Sequence, residues 1–164
     1  MPRRIDRLAL LILFALVVEG CGGGGGTPQI IPTVDDLSRN VGGWEQRSIS
    51  IPGVGSVACS AGTESLPTPN GGRYTCSPLA ITFSPDGSYS GLIPGSRVAV
   101  FEFGTWSLIG KRLTITAAQD GQPLVTRVGI VDFTDQTRSE YVFTYTSGPY
   151  FGYKTTYHRI PKDF

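Results

Sequence analysis

The sequence predicts an all-β protein: an eight-stranded antiparallel up-and-down barrel that follows a signal peptide and a flexible linker. Three observations predict it. Apolar and aromatic residues alternate with polar ones over several short runs. Gly-, Pro- and Asp-containing turns separate those runs, and from Leu79 onward the connections are short. No stretch carries a convincing long amphipathic helix. About eight strands with short connections pair as an antiparallel meander, which closes on itself and leaves no exposed edge.

The chain divides into residues 1–20, 21–40 and 41–164. In the first segment Arg3, Arg4 and Arg7 precede the uncharged run Leu8–Val18. A basic start before an apolar run this short reads as a secretory signal rather than a membrane span. The run ends at Val18-Glu19-Gly20-Cys21, which resembles the lipobox of bacterial lipoproteins, although Glu19 stands where small or aliphatic residues are commoner. The resemblance implies cleavage before Cys21 and lipid on its thiol and amine, and two or more acyl chains make anchoring stable. Gly22–Gly26 then serve as a leash, because polyglycine cannot repay its backbone entropy by folding. Gly22 to Thr33 spans about 20 Å as a random coil.

Within 27–40, "VDDLSRNV" allows a short helical turn over roughly Val34–Arg39, capped by Asp35-Asp36. "WEQRSISI" (Trp44–Ile51) is a strand with mixed alternation: Arg47, Ile49 and Ile51 share one parity, Trp44, Ser48 and Ser50 the other. Pro52–Pro78 is far longer than an ordinary loop, and such loops are usually functional or disordered. "LAITFSPDGSYSGL" (Leu79–Leu92) is a hairpin turning at Pro85-Asp86-Gly87. "RVAVFEFGTWSLIGKRLTITA" supplies two strands around Gly110-Lys111. "LVTRVGIVDF" and "SEYVFTYT" flank the polar turn Thr134–Arg138, and "YFGYKTTYHRI" closes the set.

Removing residues 1–20 takes away three arginines, Asp6 and Glu19, which lowers the formal charge from +1 to 0. A neutral domain with scattered basic residues offers no footprint for nucleic acid, so membrane attachment must come from lipid. The remaining cysteines, Cys59 and Cys76, read as a disulfide in an exported, oxidising setting. A metal site lacks ligands, since His158 is the one histidine. No nucleophile elbow, metalloprotease helix or phosphate loop is present, so no catalytic residues, no cofactor and no enzyme activity are expected. Gly53-Val54-Gly55 with Ala58 mimics a dinucleotide fingerprint, but no helix follows it. Asp132 and Asp135 flank a turn, as turn carboxylates commonly do. Tyr141, Tyr145, Tyr153 and Tyr157 have strand spacing and read as barrel wall.

Gly42-Gly43-Trp44 opens the first strand with a Gly-x-Trp pattern, Thr134-Asp135 sits in the turn between the sixth and seventh strands, and Arg159 lies in the last. In that order these residues resemble the lipocalins, over roughly residues 41–160, with Gln136 in place of the usual aromatic and no helix after the barrel. The resemblance implies a structural role for all five: Gly42, Trp44, Thr134, Asp135 and Arg159 close one barrel end, with Arg159 packed over Trp44. It further implies that the Pro52–Pro78 loop, stapled by Cys59 and Cys76, folds over the mouth. The expected function is a lipid-anchored cell-envelope lipoprotein whose barrel binds a small apolar ligand. The alternative is an envelope assembly or inhibitor lipoprotein that binds a protein partner through its loops. Gly22 after the anchor, where an aspartate would retain a lipoprotein at the inner membrane, points to the outer membrane of a Gram-negative host, facing the periplasm.

Overall fold

A computed structural model describes residues 29–39, 41–60, 64–76, 80–94, 99–119 and 121–162. Cys21, the signal peptide and most of the tether lie outside the described residues. A short helix, α1 (Val34–Ser38), comes first. Strands β1 (Val41–Ile51), β2 (Gly55–Ala58), β3 (Ser65–Pro67), β4 (Arg73–Thr75), β5 (Ala80–Phe83) and β6 (Ser88–Pro94) follow. Then come β7 (Ala99–Ile109), β8 (Arg112–Gln119), β9 (Val125–Phe133), β10 (Glu140–Tyr145) and β11 (Lys154–Pro161). The sheet runs β11-β10-β9-β8-β7-β6-β5-β1-β2 and closes through β11–β1, so β1 and β5–β11 form a closed eight-stranded antiparallel barrel. The predicted meander from Leu79 onward is the observed one.

Alternation builds the interior. Along β10, Tyr141, Phe143 and Tyr145 are buried while the residues between them are not, and β8 buries Leu113, Ile115 and Ala117 in the same way. Turns are local: Gly87 takes φ +87° in the β5–β6 turn, where Asp86 accepts hydrogen bonds from the Ser88 amide and hydroxyl.

The mixed alternation of β1 has a geometric cause. Its ladder with β11 shifts register between Gln46 and Ser48. Trp44 and Gln46 are buried before the shift, Ile49 and Ile51 after it. One extra residue in a strand flips every later side chain to the opposite face, so a bulge at Arg47 keeps the apolar residues buried despite their change of parity.

The barrel has unlike ends. At one, α1 plugs the floor: Leu37 is fully buried, and the Trp44 indole N–H donates to the Leu37 carbonyl at 3.0 Å. A second tryptophan, Trp106, donates to the Ser84 carbonyl at 2.9 Å in the β5–β6 turn of the same end. Gln29 and Ile30 also lie here, against Lys111, Asp132 and Phe133. At the other end, β1 gives way to β2, and the β8–β9 and β10–β11 connections surround a mouth.

Pro52–Pro78, expected as a loop, contains β2, which pairs with the upper half of β1, and the β3–β4 hairpin. Cys59 and Cys76 are disulfide-bonded with α-carbons 5.4 Å apart, the spacing such a bridge requires. The bridge and Ile49 form a small second core with Val57, Leu66 and Tyr74 against it.

Candidate ligand site at the barrel mouth

The hairpin reaches over the barrel through Tyr74. Its hydroxyl lies 3.2 Å from that of Tyr145 and 3.4 Å from the Thr155 hydroxyl, both of which are buried barrel residues. Its ring packs on Tyr150 at 5.3 Å and Tyr153 at 5.5 Å. Tyr150 belongs to a single helical turn, Gly148–Tyr150, between β10 and β11. The expected lid is therefore a disulfide-stapled hairpin meeting the β10–β11 corner through tyrosines. It covers part of the mouth only.

Beside it an open cleft of about 310 Å³ remains, lined by Glu102, Ala117, Ala118, Gln119, Gln122, Pro123, Val125, Arg127 and Tyr150. Strand geometry puts the charges there. On β7 the inward parity is Glu102, Gly104, Trp106; on β9 it is Arg127, Gly129, Val131. Both patterns carry apolar or small residues toward the floor and a charge toward the mouth.

Arg127 and Glu102 form an ion pair through Nη2 and Oε1, with the Glu102 side chain only 8% exposed and that of Arg127 23%. The guanidinium carbon also sits 5.6 Å from the centre of the Tyr89 ring, within cation–π range. The Arg127 Nε is buried and has no hydrogen-bond partner among the described residues. Burial pushes the Tyr89 phenol above its ordinary pKa, a shift that Arg127 opposes. The Tyr141, Tyr145 and Tyr157 phenols are raised further, chiefly by burial, and stay neutral.

Below this layer the described interior is packed with side chains. Trp44 meets Tyr141 edge-on at 4.7 Å and Phe133 at 6.2 Å, and Tyr141 stacks on Tyr157 at 5.1 Å. The open volume is thus a partly polar mouth rather than a deep apolar chamber.

The residues taken from the lipocalin resemblance lie at the floor, away from this cleft. Trp44 is opposite Arg159 in the β1–β11 register. Arg159 also lines a crevice with Asp35, Asp36, Arg39, Thr137 and Arg138. A side chain on Gly42 would put its β-carbon 2.6 Å from the Pro161 carbonyl oxygen, so only glycine fits there. Thr134 donates to Glu140 at 3.0 Å, while Asp135 accepts from the Ser139 amide and hydroxyl and the Thr137 hydroxyl. These bonds hold the Asp135 carboxyl below its ordinary pKa, the Ser139 hydroxyl contributing most.

The sequence expectation of Asp35-Asp36 as the cap is refined: Thr33 is the N-cap, and Asp36 returns a bond to the Thr33 amide at 2.7 Å to complete a capping box. Asp36 also pairs with Arg138. Glu102 and Arg127 were not among the predicted site residues. Their signal was present as charges on the inward parity of otherwise apolar strands. Among the described residues no cluster of metal-ligating side chains occurs, and no helix is long and apolar enough to cross a membrane. No protein-family model, curated protein or solved structure matches the chain.

Proposed function

We propose that this protein is a lipid-anchored lipoprotein of the cell envelope, on the outer membrane of a Gram-negative host, whose barrel binds a small ligand at its lidded mouth. One observation carries the ligand reading: a nearly buried ion pair lines an open cleft beside the disulfide-stapled hairpin. A buried pair is a poor stability device, because its desolvation cost offsets most of its attraction and apolar packing does as well. Such a pair in a cleft is better suited to recognition. The cleft lies at the small end of the usual range for ligand sites, roughly 300–1,000 Å³. Its mixed lining favours an amphipathic ligand over a purely apolar one.

A protein partner is the second reading. The packed interior favours it, as do Phe101 and Phe103, which are 58% and 60% exposed and stacked at 5.8 Å on the mouth half of the outer wall. Native mass spectrometry of freshly purified protein separates the two readings: co-purified small molecules support the first, and an empty barrel moves the case to the second. The anchor is tested by Cys21→Ser, which should release the protein from membranes. Retention after a high-salt wash would defeat it.

A further inference from the structure

We infer that the mouth cleft takes a ligand whose polar head is neutral and carries a hydrogen-bond acceptor beside a donor, as an amide or lactam edge does. This rests on the ligand-binding reading of the mouth and specifies its chemistry. The cleft floor is an electroneutral pair, the Glu102 carboxylate against the Arg127 guanidinium, with Glu102 almost wholly withdrawn from solvent. It therefore presents donors immediately beside an acceptor.

An anionic head would have to share Arg127 with Glu102 and would lie against a like charge in a poorly solvated place. A cationic head would meet the same difficulty at Arg127. A neutral head that both accepts and donates leaves the pair intact and unbalances nothing. Arg127 has capacity to spare, since a guanidinium has five N–H donors and among the described residues it pairs with Glu102 through Nη2 alone. Gln119 and Gln122 add amides to the lining, and neither carries charge. The apolar body of the ligand would lie on Ala117, Pro123 and Val125, which share that cleft.

Three probes that share a benzene ring isolate the head: neutral benzamide, anionic benzoate and cationic benzylamine. They are titrated by NMR into the full chain in detergent micelles, alongside the neutral dye N-phenyl-1-naphthylamine. Benzamide should bind at least about tenfold more tightly than either charged probe, the factor set by roughly one well-placed hydrogen bond to a charged group. Glu102→Gln leaves the guanidinium without its counter-ion and should erase the preference, with benzoate gaining about tenfold on benzamide. Val125→Trp, at a rim position 54% exposed, fills the cleft while leaving both charged residues in place and should abolish benzamide binding even if Glu102→Gln does not fold.

Equal or tighter binding of benzoate or benzylamine to the unaltered chain would overturn the neutral-head assignment while leaving a ligand-binding mouth. Dye binding that survives Val125→Trp, with no binding of any benzene probe, would remove this cleft as the head site but not the mouth as a ligand site. Failure of all four compounds would defeat both.

Discussion

At the residue scale, Arg127 and Glu102 give the sharpest test of what buried charge does in this barrel. Arg127→Met leaves the Glu102 carboxylate without its partner and should destabilise the domain by about 3–5 kcal/mol. The double change Arg127→Met with Glu102→Leu removes the whole pair and should recover most of that loss, read as urea midpoints. A double variant as unstable as the single one would show that the pair holds the fold together, contrary to a recognition role. Asp36 makes a pH-dependent contribution. Burial alone would raise its pKa, but the hydrogen bonds from Thr33 and the contact with Arg138 outweigh burial and lower it. Since the folded value lies below the unfolded one of about 3.9, this contribution is present above that pH and is lost as pH falls through the folded value. The stability gap between wild type and Asp36→Asn should therefore be wide near neutrality and narrow in acid. A gap independent of pH would contradict the capping-box and ion-pair account.

At the scale of elements, the disulfide and the hairpin it staples act together. The bridge joins residues separated by 17 positions, a loop whose closure restrains the unfolded chain by about 3 kcal/mol. The β3–β4 hairpin, however, lies outside the barrel sheet. A Cys59→Ser/Cys76→Ser variant should thus lose hydrogen-exchange protection at β3–β4 while β7–β10 keep theirs, and should release bound naphthylamine dye faster. Unaltered release with a lowered melting temperature would reduce the bridge to a stabiliser. Elements also show where the sequence was legible. The hairpins from Leu79 onward announce themselves through strict alternation and turn residues, because each is specified by neighbours in the chain. Strand β1 reads ambiguously because its bulge is a property of the ladder with β11, over a hundred residues away. Strands β2–β4 are short and mostly exposed, so no apolar alternation marks them. The Glu102–Arg127 pair joins β7 and β9, which flank β8 in the sheet, so the two charges meet across an intervening strand and no spacing in the sequence announces it. Gly42, Trp44 and Asp135 were marked by the lipocalin resemblance: Asp135 serves a local turn, whereas Gly42 and Trp44 meet β11, contacts that no local pattern announces.

At the scale of the whole molecule, the position of Gln29 and Ile30 beside Lys111 and Asp132 sets a polarity for anything attached upstream. Chain arriving from Cys21 meets the barrel at its plugged floor. A lipid on that cysteine would therefore tether the barrel by its base, with Tyr74, Tyr150 and the Glu102–Arg127 cleft at the end remote from the tether. Fluorophores at two exposed sites report this directly: Ile109→Cys at the tip of the β7–β8 turn on the floor side, and Val54→Cys in the β1–β2 turn on the mouth side. With the protein anchored in vesicles of brominated phospholipid, the Ile109 label should be quenched more than the Val54 label; equal quenching would mean that the tether leaves the barrel no preferred end toward the lipid. Tethered by its base through a flexible leash, the barrel would present its mouth less often to the bilayer that carries it than to the space beyond. It would collect molecules diffusing through the aqueous compartment, or meet an opposing surface face-on, in the manner of a cup on a stem.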